Sequence, residues 1–144
     1  MASFELVGLD DLNDALHRLG QPPDEVKAKA LTEMAKVASG KIKSQGEAMG
    51  VRDPESDVHI LDKIKVNKPK LNKDGGICTI TFAGTRSRGR KRVRNAEIAF
   101  VNEYGSRKQR ARPFIGQALT QSEQAIVEPG AEIIGDWIEK TFKE

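Results

Sequence analysis

Ala-Glu-Ile-Ala-Phe-Val-Asn-Glu-Tyr-Gly-Ser-Arg-Lys-Gln-Arg-Ala-Arg-Pro-Phe-Ile-Gly-Gln-Ala-Leu, residues 96–119, is the stretch whose reading decides the fold. It joins two amphipathic segments through a glycine stop, a short basic loop and a proline start. Ile98 and Val101 share one helical face of the first segment, with Phe100 and Tyr104 beside them, and Gly105 follows as a C-terminal cap. Residues 106–112 form the loop. Pro113 suits the first turn of a new helix, where its missing N–H would be unpaired anyway. Phe114, Ala118 and then Ala125 or Ile126 continue the apolar stripe.

Upstream of the joint, Phe4-Glu5-Leu6-Val7 reads as a short strand or an ordered arm. Leu9, Leu12, Leu16 and Leu19 fall at helical spacing, with Asp10 as cap and Gly20 as stop. Pro22-Pro23-Asp24-Glu25 opens a second helix, and Val26, Ala30, Met34, Val37 or Ala38 and Ile42 carry its stripe towards Met49. Its alanines let neighbours approach closely, and Gly40 and Gly46 weaken its later turns without ending it. Residues 51–57 are polar, contain Pro54 and read as a loop. Ile64 and Val66 alternate as in a strand, Asn72-Lys73-Asp74-Gly75-Gly76 is a hairpin signal, and residues 77–82 alternate again with Cys78, Ile80 and Phe82 on one apolar face. The two strands should pair antiparallel. Downstream, a C-terminal helix starts at Pro113 and should kink or break near Glu128, ahead of Pro129-Gly130. Ile133, Ile134, Trp137, Ile138 and Phe142 form a second apolar patch. The expected architecture is a small single α+β domain over residues 1–144. It has N-terminal helices, an antiparallel β-hairpin or small sheet, a short helix and a long C-terminal helix.

Composition suits one domain with a thin core, since 144 residues are 38% hydrophobic and 31% charged. Such a chain gains stability by burying further surface against copies of itself. No signal peptide is visible at the start of the sequence, and no stretch reaches the roughly 20 apolar residues that span a bilayer. The single cysteine, Cys78, has no internal partner and reads as a small strand residue.

Charge is strongly segregated. Residues 84–112 carry ten Lys/Arg against Glu97 and Glu103, a net +8, whereas residues 113–144 are −4. Six of the cations, Arg86, Arg88, Arg90, Lys91, Arg92 and Arg94, crowd a glycine-containing stretch at about 84–95 that holds only one bulky apolar residue. It reads as an exposed, mobile loop or hairpin tip. These cations can meet acidic residues of a neighbouring subunit, the phosphates of DNA, or solvent. No aromatic side chain interleaves with them, so the stacking used by single-strand binders is missing.

Signals for catalysis are lacking. His17 and His59 sit in unrelated segments, Ser106 has no nucleophile elbow around it, and Gly84-Thr85 with Gly89 does not make a P-loop. The expectation is a non-enzyme without metal or cofactor. Phe114 and Trp137 read as core or interface anchors, and Arg112 as a partner for Glu103 that fixes the loop.

The order Glu103-Tyr104-Gly105-Ser106, then Gln109, then Ala111-Arg112-Pro113-Phe114-Ile115 and Ala118-Leu119 resembles the tail-component family of long-tailed phages. Members of that family serve as neck or tail-completion proteins at the head–tail junction. The resemblance covers about the two dozen residues 96–119, with Glu103, Tyr104, Gly105, Arg112, Pro113 and Phe114 as its signature. Leu61-Asp62-Lys63-Ile64 matches a further Leu-x-x-Ser-Ile-like stretch only in part, Lys63 standing where the serine would be. The resemblance implies a virion structural protein made in the host cytoplasm. It would close into a hexameric or dodecameric ring that meets a head connector on one side and a tail tube or tail terminator on the other. The alternatives are a DNA-binding accessory protein using the basic loop against packaged DNA, and a tail-assembly chaperone. No membrane partner is implied.

Overall fold

The computed structural model describes residues 19–51, 59–73 and 75–143. The strand or arm expected around Phe4, the helix expected from Leu9 and most of the loop after Val51 lie outside these residues. Helix α1 spans Asp24–Ala48 and carries Asp24 and Glu25 in its first turn, against the positive end of its dipole. Its buried positions are Ala30, Ala35, Ala38, Ile42 and Gly46, small residues apart from Ile42. A 3-10 turn, Ile60–Lys63, then buries Ile60 and Leu61.

Four short strands follow: β1 (Ile64–Val66), β2 (Lys70–Asn72), β3 (Gly75–Ile77) and β4 (Ile80–Phe82). β1 pairs antiparallel with β4 and β2 with β3, so they form one long ribbon, as the alternation predicts. The ribbon is interrupted around Asn67-Lys68-Pro69, since proline offers no N–H to a ladder. Across the gap the Asn67 N–H still donates to the Thr79 carbonyl at 2.9 Å, and the Cys78 Sγ–H to the Asn67 carbonyl at 3.3 Å. A second hairpin, β5 (Thr85–Arg88) and β6 (Lys91–Arg94), leads straight into α2 (Asn95–Tyr104). Helices α3 (Phe114–Gln121) and α4 (Glu123–Lys143) follow. The fold is a small α+β domain.

The core forms where α1, the 3-10 turn, the β1–β4 ribbon, α2 and α3 converge. Phe114 is 0% exposed and meets the edge of Phe82 at a centroid distance of 6.0 Å. Leu61, Ile60, Ile42, Ile98, Ala99 and Ala118 pack around them. Gly46 makes this possible. A Cβ there would lie 2.5 Å from Leu61 Cδ2 and 3.1 Å from the Phe114 ring. Further along α1, Met34 lies against Gly130 of α4, where any side chain would collide with the thioether. The two longest helices therefore meet through small residues.

Two sequence expectations change here. The C-terminal helix breaks at Ser122, not near Glu128, and α4 runs through Pro129 unbroken. Ser122 ends α3 at φ −115°, ψ 16°, and its carbonyl accepts the Ile126 N–H to start the next helix. Proline removes only one hydrogen bond from a helix held along its length by packing on α1. In α2 the buried stripe is Asn95, Ile98, Ala99 and Asn102, while Phe100 and Tyr104 stand 61% and 69% exposed with their rings 4.7 Å apart.

The glycines of α1 offer a direct check. Gly40 has no atom within 4 Å of an added Cβ. Gly40→Ala should raise unfolding free energy by about 0.5–1 kcal/mol through helix propensity. Gly46→Ala should lower it by about 1–2 kcal/mol, because overpacking against Leu61 and Phe114 outweighs the same gain. Urea denaturation of both variants measures the difference.

Candidate functional site

The signature residues build one helix–loop–helix joint. Pro113 stands at the N-cap of α3 and has no side-chain group to satisfy that helix's first N–H groups. Glu103, the next-to-last residue of α2, supplies it instead. Its Oε2 accepts the Ile115 N–H at 2.8 Å and its Oε1 the Gly116 N–H at 2.9 Å. A carboxylate thus caps the second and third N–H groups of α3 from another helix, at the positive end of its dipole. An added Cβ on Gly116 would lie 3.0 Å from Glu103 Oε1, so the glycine leaves room for the cap.

The loop is fixed at several more points. Gly105 adopts φ +80° and its N–H donates to the Val101 carbonyl. A Cβ on it would meet the Ala111 nitrogen at 2.9 Å. Buried Asn102 accepts from Gln109 Nε2 at 2.9 Å, and its carbonyl accepts the Arg112 N–H at 2.6 Å. Arg112 does not reach Glu103 as expected. The two backbone N–H groups occupy Glu103, and Arg112 Nη1 instead donates to the Gly50 carbonyl at 2.7 Å, tying the loop to the end of α1. Gln45 Nε2 adds a bond to Gln117 Oε1 at 3.1 Å. Asn102 and Gly116 were not singled out in the sequence, and Gln109 entered only through the family pattern. Asn102 at a core position of a helical stripe was the available signal. Tyr104 is the one signature residue that contributes no contact to the joint and faces solvent.

The basic stretch is a regular two-stranded hairpin, the second of the two forms its sequence allowed. Arg86 faces Val93, Ser87 faces Arg92 and Arg88 faces Lys91 across the ladder. Gly89 takes φ +63° at the first central position of the turn, as type II′ turns require. At the base, Asn95 Nδ2 donates to the Ala83 carbonyl at 2.7 Å and the Asn95 N–H to the Gly84 carbonyl at 3.0 Å. The hairpin is thereby welded to α2.

Strand alternation sorts the six cations, which sequence grouped together. Arg86, Arg88, Lys91 and Val93 share one face. Arg92 and Arg94 share the other with Thr85 and Ser87, and Arg90 stands in the turn. Arg94 Nε contacts Glu97 Oε1 at 3.1 Å. The Arg86 and Arg88 face overlooks a cleft of about 540 Å³, closed by Val51 and Ile60 on one side and by Ile98, Val101 and Asn102 of α2 on another. Lys108 and Arg112 reach its rim from the α2–α3 loop. Four cations from two segments therefore converge on one depression, which His59 and Glu97 also line and whose walls are partly apolar.

The acidic counterpart lies elsewhere. Glu123, Glu128, Glu132, Asp136 and Glu139 are all exposed on α4, which packs on α1 and α3, whereas the hairpin packs on α2. Among the described residues no ion pair involves these five carboxylates or Arg88, Arg90, Lys91 and Arg92. Among the described residues there is also no group of three or more His, Cys, Asp or Glu side chains able to hold a metal ion, and no helix long and apolar enough to cross a membrane. Comparison with protein-family models, curated proteins and solved structures finds no match to this chain.

The cap can be tested by coupling. Glu103→Ala should lower unfolding free energy by about 1–2 kcal/mol. Gly116→Ala should be neutral or destabilising in the parent chain, where it crowds the carboxylate. In the Glu103→Ala background it should stabilise by about 0.5–1 kcal/mol through helix propensity alone. Chemical denaturation of the four proteins in the cycle reads the sign change.

Proposed function

We propose that this chain is a structural protein of a phage particle, acting at the head–tail junction as a neck or tail-completion ring. The single observation that carries the reading is the separation of unpaired charge on a rigid scaffold. Arg90, Lys91 and Arg92 project on a hairpin fixed to α2, while the exposed carboxylates of α4 lie on a different layer. A surface that is positive in one place and negative in another favours heterologous, head-to-tail contacts, which close into a ring when the rotation permits. The resemblance of residues 103–119 to the tail-component family supports the same reading. Each signature residue with a contact there serves the joint, as befits a docking scaffold. The mechanism is docking: copies pair hairpin to α4 in a ring of six or twelve, one face of which meets a head connector and the other a tail tube or terminator.

A second reading has its own observation. The outer hairpin face presents Arg92 and Arg94 between the hydroxyls of Thr85 and Ser87, a combination that also suits phosphate oxygens. Duplex binding through Arg92, Arg94 and Arg90 in the turn would weaken on the order of fortyfold between about 50 and 200 mM salt, irrespective of sequence.

The triple variant Arg90→Ser, Lys91→Ser, Arg92→Ser separates the two. Its thermal midpoint should stay within about 1–2 °C of the parent, since these side chains are exposed and touch nothing in the core. Its self-association, followed by light scattering with and without connector and tail proteins, should weaken on the order of tenfold or more. Heads and tails should fail to join. Tight, salt-sensitive duplex binding by the parent chain that the variant loses while joining proceeds would instead favour the DNA reading.

A further inference from the structure

The cleft beneath the hairpin is not used by the pairing of Arg90, Lys91 and Arg92 with α4. Its volume of about 540 Å³ lies in the range of sites that hold a ligand or a few residues of peptide. Arg88 and Lys108 stand exposed on its rim with no ion-pair partner among the described residues, and Arg112 uses Nη1 on Gly50 and keeps its remaining donors. Ile60, Val93 and Val101 give the cleft its apolar part, beside the His59 ring and the Glu97 carboxylate. The four cations outnumber the one carboxylate there and favour an occupant that is anionic and apolar in part.

We infer that the cleft receives residues 4–14 of a neighbouring copy of this chain. That segment reads Phe-Glu-Leu-Val-Gly-Leu-Asp-Asp-Leu-Asn-Asp, with four carboxylates, no cation and five large apolar side chains. Its chemistry complements the cationic rim and the apolar part together. Position favours a neighbour over the same chain. The segment joins the described fold at Leu19, just before α1, whereas the cleft adjoins Gly50, just after it. α1 holds these two places about 36 Å apart. Val7 precedes Leu19 by twelve residues, at most about 40 Å of fully extended chain, so its own cleft lies at the limit of reach. Donor and acceptor at opposite ends of one protomer are the arrangement that a head-to-tail ring needs. The inference rests on the ring reading above and adds to it a second contact, independent of the hairpin tip.

Two full-length single variants in a Cys78→Ser background provide the test. Phe4→Cys and Val101→Cys, mixed under associating conditions and oxidised, can form a disulfide only between copies. A covalent dimer is expected, lost when Lys108→Glu is added to the acceptor. A fluorescent peptide of residues 1–14 should also bind the full-length parent, and Arg88→Ser with Lys108→Ser should weaken it on the order of tenfold. No intermolecular disulfide together with no peptide binding would overturn the inference. So would a disulfide that forms only within the double variant Phe4→Cys, Val101→Cys. Peptide binding that appears only after Asp53→Asn, Glu55→Gln and Asp57→Asn would assign the cleft to the chain's own acidic segment. Ring formation without the crosslink would remove this inference and leave the ring. The crosslink in a chain that never joins heads to tails would do the reverse.

Discussion

The fold hangs on a carboxylate placed at the start of a helix that cannot cap itself. Pro113 fixes the entry to α3 and offers nothing to its first N–H groups, so those donors must be met from elsewhere. Glu103 meets two of them. The consequence is geometric as much as energetic, because a bidentate contact sets the angle between α2 and α3. That angle seats Phe114 between Gly46, Leu61 and Phe82. It also aims the intervening loop so that Arg112 reaches the end of α1 and Lys108 reaches the cleft. Core, cleft and helix packing share one origin.

Much of this was legible because local signals were strong. Pro23-Asp24-Glu25 announced α1, Asn72 to Gly76 announced the ribbon's turn, and Gly105 and Pro113 bracketed the joint. The rest was hidden because it depends on partners distant in sequence. Glu103 looked like a mate for Arg112, yet a carboxylate offered two backbone donors at a helix start is better satisfied there. Gly46 and Gly130 looked like weak points in helices, whereas each makes room for a neighbouring side chain, which no periodicity reveals. Pro129 carried the opposite error. Its local preference was read correctly, and packing on α1 overrode it.

The basic stretch shows how a small amount of regular structure changes a functional reading. As an irregular loop, six cations would act as one diffuse field. A two-residue turn at Gly89 makes them a ladder, and alternation then sends Arg86 and Arg88 inward and Arg92 and Arg94 outward. One sequence feature thus serves two surfaces of different chemistry. The inner cations sit over a partly apolar cleft, while the outer ones stand beside hydroxyls in water.

The contact between Met34 and Gly130 joins helices 96 positions apart, near the two ends of the described chain. During synthesis the ribbon, the hairpin and the capped joint can all form from neighbouring residues, but α1 must wait for α4 to emerge. Until then its alanine-lined face stays open to the crowded interior of the producing cell. Long-range closure of this kind is slow and exposes apolar surface. Helix α4 completes α1, so a ribosome that stops before residue 123 releases a product in which α1 lacks its most extensive packing partner.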